Sequence, residues 1–268
     1  IAPALTQEIF ATVSNNENIT CNTVTSFFIF RDPIYTTAVP SADLNLAECD
    51  YNNTGDMVEV FNLDAQIPTI LGAGVPITDA TVTFYLSEAD AIANTVANAI
   101  TTPNAFTSTT TNLDPFTQTI YYTISNNDNV TCFSTGSLDL QVYALPSVVA
   151  PTESFKACDL GIIDGFTEFD FNSPDGIIAI NTITQNNTTY AVSFFATAVD
   201  AQNNINQLSN PYTNTTINTQ VIHVRVVDTV TGCVNFTVLT LEVVTAPQAF
   251  TFTNPLTYCD TDNDDVGY

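Results

Sequence analysis

The sequence predicts an all-β protein made of tandem immunoglobulin-like β-sandwich repeats. Three observations carry that prediction: a strand-forming composition, a cysteine pattern that recurs along the chain, and two-residue alternation around each recurring cysteine. Hydrophobic residues make up 45% of the 268 residues, while Met occurs once and Lys and Arg together three times. Val, Ile, Thr, Phe and Tyr suit a pleated, half-buried surface, and the straight-chain helix formers are scarce. Disorder requires low hydrophobicity, so a chain of this composition should fold. Its length is enough for two domains of ordinary size.

The cysteines fall into two series. Cys49, Cys158 and Cys259 are 109 and 101 residues apart, and Cys21, Cys132 and Cys233 are 111 and 101 apart. The flanking sequence repeats with them. "TQEIFATVSNNENITC" ends at Cys21, "TQTIYYTISNNDNVTC" at Cys132 and "TQVIHVRVVDTVTGC" at Cys233. Upstream, "ATVTFYLSEADA" (80–91) matches "TYAVSFFATAVDA" (189–201), and a "CD" dipeptide recurs at 49–50, 158–159 and 259–260. A period of this size marks serial structural units. Division near Pro33, Pro146 and Pro247 gives the C-terminal hairpin of a preceding repeat (1–33), two complete repeats (34–146 and 147–247) and the start of a following one (248–268). The first residue is Ile and no signal peptide is evident, so the chain reads as an internal piece of a longer, processed protein.

Within a repeat, the alternation before the second-series cysteine places Ile120, Tyr122 and Ile124 on one face, matched by Ile222, Val224 and Val226 and by Ile9, Ala11 and Val13. After the cysteine, Leu138, Leu140 and Val142 match Leu239, Leu241 and Val243. Period two with a short polar connection predicts an antiparallel hairpin of half-buried strands. Earlier strands are expected over 58–63 and 82–86, and over 167–171 and 192–196. Several short strands per hundred or so residues fit a two-sheet sandwich. There is no Trp, so Phe84 and Phe194, at equivalent positions, are the expected central aromatics.

Two disulfide patterns are open. One closes each repeat on itself, Cys49–Cys132 and Cys158–Cys233. The other crosses each boundary, Cys21–Cys49, Cys132–Cys158 and Cys233–Cys259. The second has to bridge a strand plus a linker, whereas bonded Cα atoms lie within about 7 Å, so the first is preferred. Spacing alone does not fix connectivity.

The pattern of "CD", a Gly/Asp-containing turn, "FNL" or "FDF", an aromatic strand ending in "DA", and "TQ" leading to a cysteine resembles the tandem immunoglobulin-like repeats of giant Bacteroidota cell-surface adhesins. These include the gliding-motility adhesin class exported by the type 9 secretion system. The resemblance covers essentially the whole chain. It implies an extracellular, cell-surface, non-enzymatic stalk that displays binding regions away from the cell. The family's repeats often read "CDxDxDG" before "FDL"; here the two copies read "CDYNNTGDMVEVFNL" and "CDLGIIDGFTEFDF".

Charge narrows the partners. Arg31, Lys156 and Arg225 face 28 acidic residues, for a net charge of −25. Phosphate-backbone binding needs clustered cations, and anionic lipid surfaces repel such a chain. No run of 18 apolar residues predicts a membrane span. Neighbouring repeats and an extracellular surface or glycan are the expected partners. The alternating Asp260, Asp262 and Asp264 are candidate Ca²⁺ ligands, against the plainer reading of a solvated acidic turn. Asp50/Asp56 and Asp159/Asp164 are weaker candidates, since Asp at turns usually bonds the local backbone.

No catalytic residue is assigned. His223 is the only histidine, on the polar side of its strand, which leaves triads and His-metal clusters without material. Asn-x-Ser/Thr triplets begin at Asn18, Asn52, Asn129, Asn186, Asn187, Asn214 and Asn235, and Asp228-Thr229-Val230 resembles a Bacteroidota O-glycosylation sequon. The sequence therefore reads as an adhesin shaft. The rival readings are a glycan-binding repeat or an accessory module of a secreted polysaccharide-degrading enzyme.

Overall fold

The computed structural model describes residues 5–109, 116–160 and 162–247. The chain forms two compact units, Ile1–Leu145 and Pro146–Tyr268. The first contains β1 (Leu5–Ser14), β2 (Asn22–Arg31), β3 (Leu46–Cys49), β4 (Val60–Phe61), α1 (Ile67–Leu71), β5 (Ala80–Tyr85), α2 (Glu88–Ala93), β6 (Phe106–Thr107), β7 (Phe116–Asn126) and β8 (Phe133–Tyr143). The second contains β9 (Phe155–Asp159), β10 (Glu168–Phe169), α3 (Pro174–Thr184), β11 (Tyr190–Phe195), α4 (Ala198–Asn203), β12 (Tyr212–Thr213), β13 (Thr219–Asp228) and β14 (Val234–Thr245).

Both units are built the same way, as immunoglobulin-like β-sandwiches. A four-stranded sheet runs β3-β8-β7-β5 in one and β9-β14-β13-β11 in the other. The β3–β8 and β14–β9 pairs are parallel and the rest antiparallel. A two-stranded ribbon, β4–β6 or β10–β12, supplies the second layer. The inward residues of the hairpins meet there. Ile120, Tyr122, Ile124, Leu138, Leu140 and Val142 pack with Phe61, Leu63, Ile70 and Phe106 in one core. Ile222, Val224, Val226, Leu239 and Leu241 pack with Phe155, Phe169, Phe171 and Tyr212 in the other. Each aromatic buried here removes large apolar area from water. The predicted central aromatics hold: Phe84 packs edge-on against Tyr122 at 6.3 Å, and Phe194 stacks on Phe171 at 4.0 Å.

The strands predicted over 58–63 and 167–171 shrink to two-residue pairs, because Leu63–Gln66 turns into a 3₁₀ helix and Ser173 caps α3. The sequence reading contained no helices. Among the described residues four short α-helices form between strands, and three of them, α2, α3 and α4, begin at a Ser or Thr side-chain cap. Ser87 and Thr197 accept the backbone N–H of Asp90 and Asp200, and Asn94 and Asn204 close α2 and α4 in the left-handed conformation. Among the described residues no helix is long and apolar enough to cross a membrane.

β1 and β2 repeat the β7–β8 hairpin. Ser14↔Asn22 and Ser125↔Phe133 are the same pair shifted by 111 residues (14 + 111 = 125; 22 + 111 = 133). Val13 and Phe27, whose counterparts Ile124 and Leu138 are core residues, are exposed on this ribbon.

Candidate functional site at the cysteine poles

Each unit carries one cysteine at either end of its long sheet. Cys132 closes the tip of the β7–β8 hairpin: its N–H donates to the Asn129 carbonyl at 2.9 Å, and its carbonyl accepts from Asn126 N–H at 3.0 Å. Cys233 does the same at the β13–β14 tip, its carbonyl taking the Asp228 N–H at 2.9 Å and its N–H donating to Thr231 Oγ1 at 3.2 Å. Cys49 and Cys158 lie at the opposite end, on the parallel edge strands. Cys49 stands opposite Tyr143 on β8, and Cys158 opposite Val244 on β14.

The path of the chain gives the two ends distinct identities. The segment entering the first unit is tied to the hairpin tip: Asn126 Nδ2 donates to the Pro33 carbonyl at 3.0 Å, Asn129 Nδ2 to Asp32 Oδ2 at 2.8 Å and Ser134 Oγ to the Tyr35 carbonyl at 2.5 Å. In the second unit Asn235, two residues past Cys233, donates from Nδ2 to the Pro146 carbonyl at 2.8 Å. The tip is thus the entry pole. The chain leaves along β8 or β14, past Cys49 or Cys158, at the exit pole.

This polarity corrects the preferred disulfide pattern. Cys132 and Cys158 carry free thiols, as does Cys21, so neither Cys49–Cys132 nor Cys158–Cys233 is formed. Cys49 and Cys233 are each disulfide-bonded. The reason is distance. From Phe133 to Tyr143, and from Val234 to Val244, the strands run ten residues, which at about 3.4 Å per residue separates the poles by about 34 Å. A disulfide spans a Cα separation of about 7 Å at most. The objection of excess distance applies inside a repeat.

Behind each exit cysteine the "CD" aspartate anchors a loop. Asp50 is 1% and Asp159 2% exposed. Asp50 Oδ2 accepts the Gly55 N–H, and Asp159 Oδ2 the Gly165 N–H at 2.9 Å. Thr167 Oγ1 donates to the Cys158 carbonyl at 2.8 Å, and Glu59 Oε1 accepts from Tyr51 and Asn52 N–H groups at 2.7 and 3.0 Å. Asp56 and Asp164 accept the N–H two residues ahead, from Val58 and Phe166. Each of these aspartates commits one carboxylate oxygen to a backbone N–H, the ordinary work of Asp at turns, and Asp50 Oδ1 is buried without a hydrogen-bond partner. Among the described residues no three His, Cys, Asp or Glu side chains group as metal ligands. Asp260, Asp262, Asp264 and Cys259 lie outside the described residues.

The remaining candidates are also placed by the sheet. His223 sits on β13 opposite Phe195 and Val238. Three sequon asparagines are turn-makers: Asn18, Asn129 and Asn187 each accept the hydroxyl of the Thr two residues on, at 2.7, 2.7 and 2.9 Å. Asn214 is 3% exposed and donates to the Gly165 and Thr216 carbonyls, which removes it from any glycan acceptor role. Asp228 Oδ1 accepts the Val230 N–H at 2.8 Å and so shapes the β13–β14 turn.

The family model described as Flavobacterium inter-domain disulphide bond domain matches residues 45–146 and 154–247. No curated protein matches. Among solved structures, Drosophila N-cadherin EC1-4 is 10% identical with a TM-score of 0.22, covering 91% of this chain and 60% of that one. A Bacteroides ovatus SGBP-B, solved with a mixed-linkage heptasaccharide, is 11% identical with a TM-score of 0.19, covering 74% and 42%. SporoSAG from Toxoplasma gondii is 10% identical with a TM-score of 0.20, covering 75% and 96%. Likeness at this level carries no argument about what the chain binds.

Proposed function

The chain belongs to the Flavobacterium inter-domain disulphide bond domain family, and from that premise we propose that it is a shaft segment of a bacterial cell-surface adhesin. Its family and its bonded cysteines fit an extracellular multidomain protein. The observation that carries the reading is the placement of one cysteine at each pole of each unit. With Cys21, Cys132 and Cys158 free and both Cys49 and Cys233 bonded, the proposed bond is Cys49 to Cys233. Cys49 belongs to the exit pole of the first unit and Cys233 to the entry pole of the second. Only three peptide steps separate Tyr143, opposite Cys49, from Pro146, which is held beside Cys233. On this proposal the linker and the disulfide are two covalent connections between successive units.

On this reading the work is mechanical and non-enzymatic. Stiff serial units hold binding regions away from the cell, in attachment and in gliding. The charge of −25 keeps neighbouring shafts apart. Display through the type 9 secretion system belongs to the same proposal. The alternative, a glycan-binding module of a polysaccharide-degrading protein, finds its support in exposed Phe10, Phe28 and Phe30 on β1–β2, where Phe28 and Phe30 lie 6.4 Å apart.

The test has two arms. Removing residues 34–247 in frame from the parent protein should leave it on the cell surface, seen by antibody labelling, and reduce cell attachment. The purified chain should stay in the supernatant when spun with insoluble polysaccharides. Sedimentation with a polysaccharide, together with unchanged attachment, overturns the shaft reading in favour of the glycan-binding one.

A further inference from the structure

Asp50 is 1% exposed, and its two carboxylate oxygens are treated differently. Oδ2 accepts the Gly55 N–H, while Oδ1 is buried with no hydrogen-bond partner. Among the described residues it is the only carboxylate oxygen in that state. A buried charge is costly unless it is paired or coordinates a metal, so an unmet oxygen beside a bonded one calls for an electropositive partner.

The loop over Asp50 carries further oxygens at regular spacing. Asn52 and Thr54 follow at alternate positions, with Gly55 directly after them. Asn52 Nδ2 donates to Glu59 Oε2 at 3.2 Å, which leaves Asn52 Oδ1 without a donor. Among the described residues Thr54 Oγ1 and the Asp56 carbonyl also make no hydrogen bond. Gly55 turns the chain at φ +102°, a conformation that favours glycine. This is the first half of a calcium loop of the EF-hand type: side-chain oxygens at positions one, three and five, glycine at six and a backbone carbonyl at seven. Position twelve, where an EF-hand has Glu, is Phe61, a core residue, so the second half is not shared. The nearby acids do other work. Asp56 takes Val58 N–H and Asn53 Nδ2, and Glu59 takes the N–H groups of Tyr51 and Asn52. They shape the loop and add negative charge to it.

We infer that the loop Asp50–Asp56 binds one Ca²⁺. Its protein ligands are Asp50 Oδ1, Asn52 Oδ1, Thr54 Oγ1 and the Asp56 carbonyl, and water completes the six to eight oxygens that Ca²⁺ takes. Asn52 and Thr54 are exposed and have room to turn toward Oδ1. The set holds a single carboxylate, which is why no trio of acidic side chains marks it. Mixed neutral oxygens on an exposed loop suit Ca²⁺ over Mg²⁺, which demands near-ideal octahedral geometry and sheds water reluctantly. Low ligand charge places the Kd at about 10⁻⁴–10⁻³ M.

The second unit provides an internal comparison. Asp159 holds the Gly165 N–H in the same way. The third and fifth residues of its loop are Gly161 and Ile163, which have no side-chain oxygen. Neither carboxylate oxygen of Asp159 is buried without a partner. Unmet oxygen and ligand spacing thus occur together in the first unit and are missing together from the second.

A calcium titration of the isotope-labelled chain, followed by amide NMR, tests the site. The amides of residues 51–56 should shift and saturate at about 10⁻⁴–10⁻³ M Ca²⁺, while those of Asp159 and Gly165 stay in place. Thr54→Val, which removes no hydrogen bond of the loop, should weaken binding about tenfold or more, since losing a ligand costs at least as much as losing a group that merely orients one. Asn52→Ala should do the same and serves as the second, independent variant. No shift in residues 51–56 up to about 10 mM Ca²⁺, ten times the weak end of the expected range, overturns the inference. Shifts confined to residues 259–264, or an affinity unchanged in both variants, overturn it as well. None of these outcomes bears on the shaft reading, which does not depend on the ion.

Discussion

Asp159 holds the backbone N–H of Gly165 at 2.9 Å from a position only 2% exposed. Gly165 has φ +81°, and a Cβ there would lie 2.5 Å from Ile217 Cγ1, so glycine is required both for conformation and for space. Its carbonyl accepts from Asn214 Nδ2 at 2.9 Å. The loop that follows Cys158 is therefore fixed by its own polar core.

Replacing Asp159 with Ala leaves a buried N–H without an acceptor and should cost about 1–3 kcal/mol. Asp159→Asn keeps an acceptor oxygen and should lose less. Urea denaturation of the chain, followed by far-UV circular dichroism, reads both. Equal losses for the two variants would show that the hydrogen bond is not the cause.

Phe171 and Phe194 stack at 4.0 Å with planes 12° apart, and both belong to the core of the second unit. Phe194→Ala should cost about 3–5 kcal/mol through lost burial and the cavity left behind. Amide hydrogen exchange should show the loss in residues of β11, β13 and β14, with the first unit's β7 and β8 protected as before.

Gly136 stands opposite Tyr122, and a Cβ there would approach the ring's Cζ to 2.4 Å. Tyr122 is 1% exposed, with little room to yield. Gly136→Ala should destabilise by about 1–3 kcal/mol. Pairing it with Tyr122→Leu should cost less than the sum of the two single changes, a non-additivity that a thermal-melt double-mutant cycle would measure.

Acid should loosen α2 and α4. The Ser87 hydroxyl, then the Asn98 amide, hold the Asp90 carboxyl below its ordinary 3.8, and Thr197 followed by Asn206 does the same for Asp200. A folded pKa below the unfolded one gives stability that is present above the unfolded value and fades as pH falls through the folded one. In carbon-detected NMR titrations both midpoints should lie below 3.8, and Ser87→Ala should raise that of Asp90. An Asp90 midpoint unmoved by Ser87→Ala would remove the hydroxyl from the account.

Much of this was written locally. The hairpins at Cys132 and Cys233 follow from alternation, and the repeat made one prediction serve two units. Phe84 and Phe194 could be chosen as core aromatics because equivalent positions agreed. The signals for α2 and α4 are equally local: Ser87-x-x-Asp90 and Thr197-x-x-Asp200 are capping patterns inside the segments "LSEADA" and "ATAVDA" that align the repeats.

The disulfide pattern was not local. Sequence by itself determined that the protein is a series of β units with two kinds of cysteine, because strand period and repeat period are carried by neighbouring residues. Only the tertiary structure decided which cysteines can meet. The parallel placement of Cys49 beside Tyr143 puts it a full strand away from Cys132, and that separation arises from how strands distant in sequence pair across the sheet.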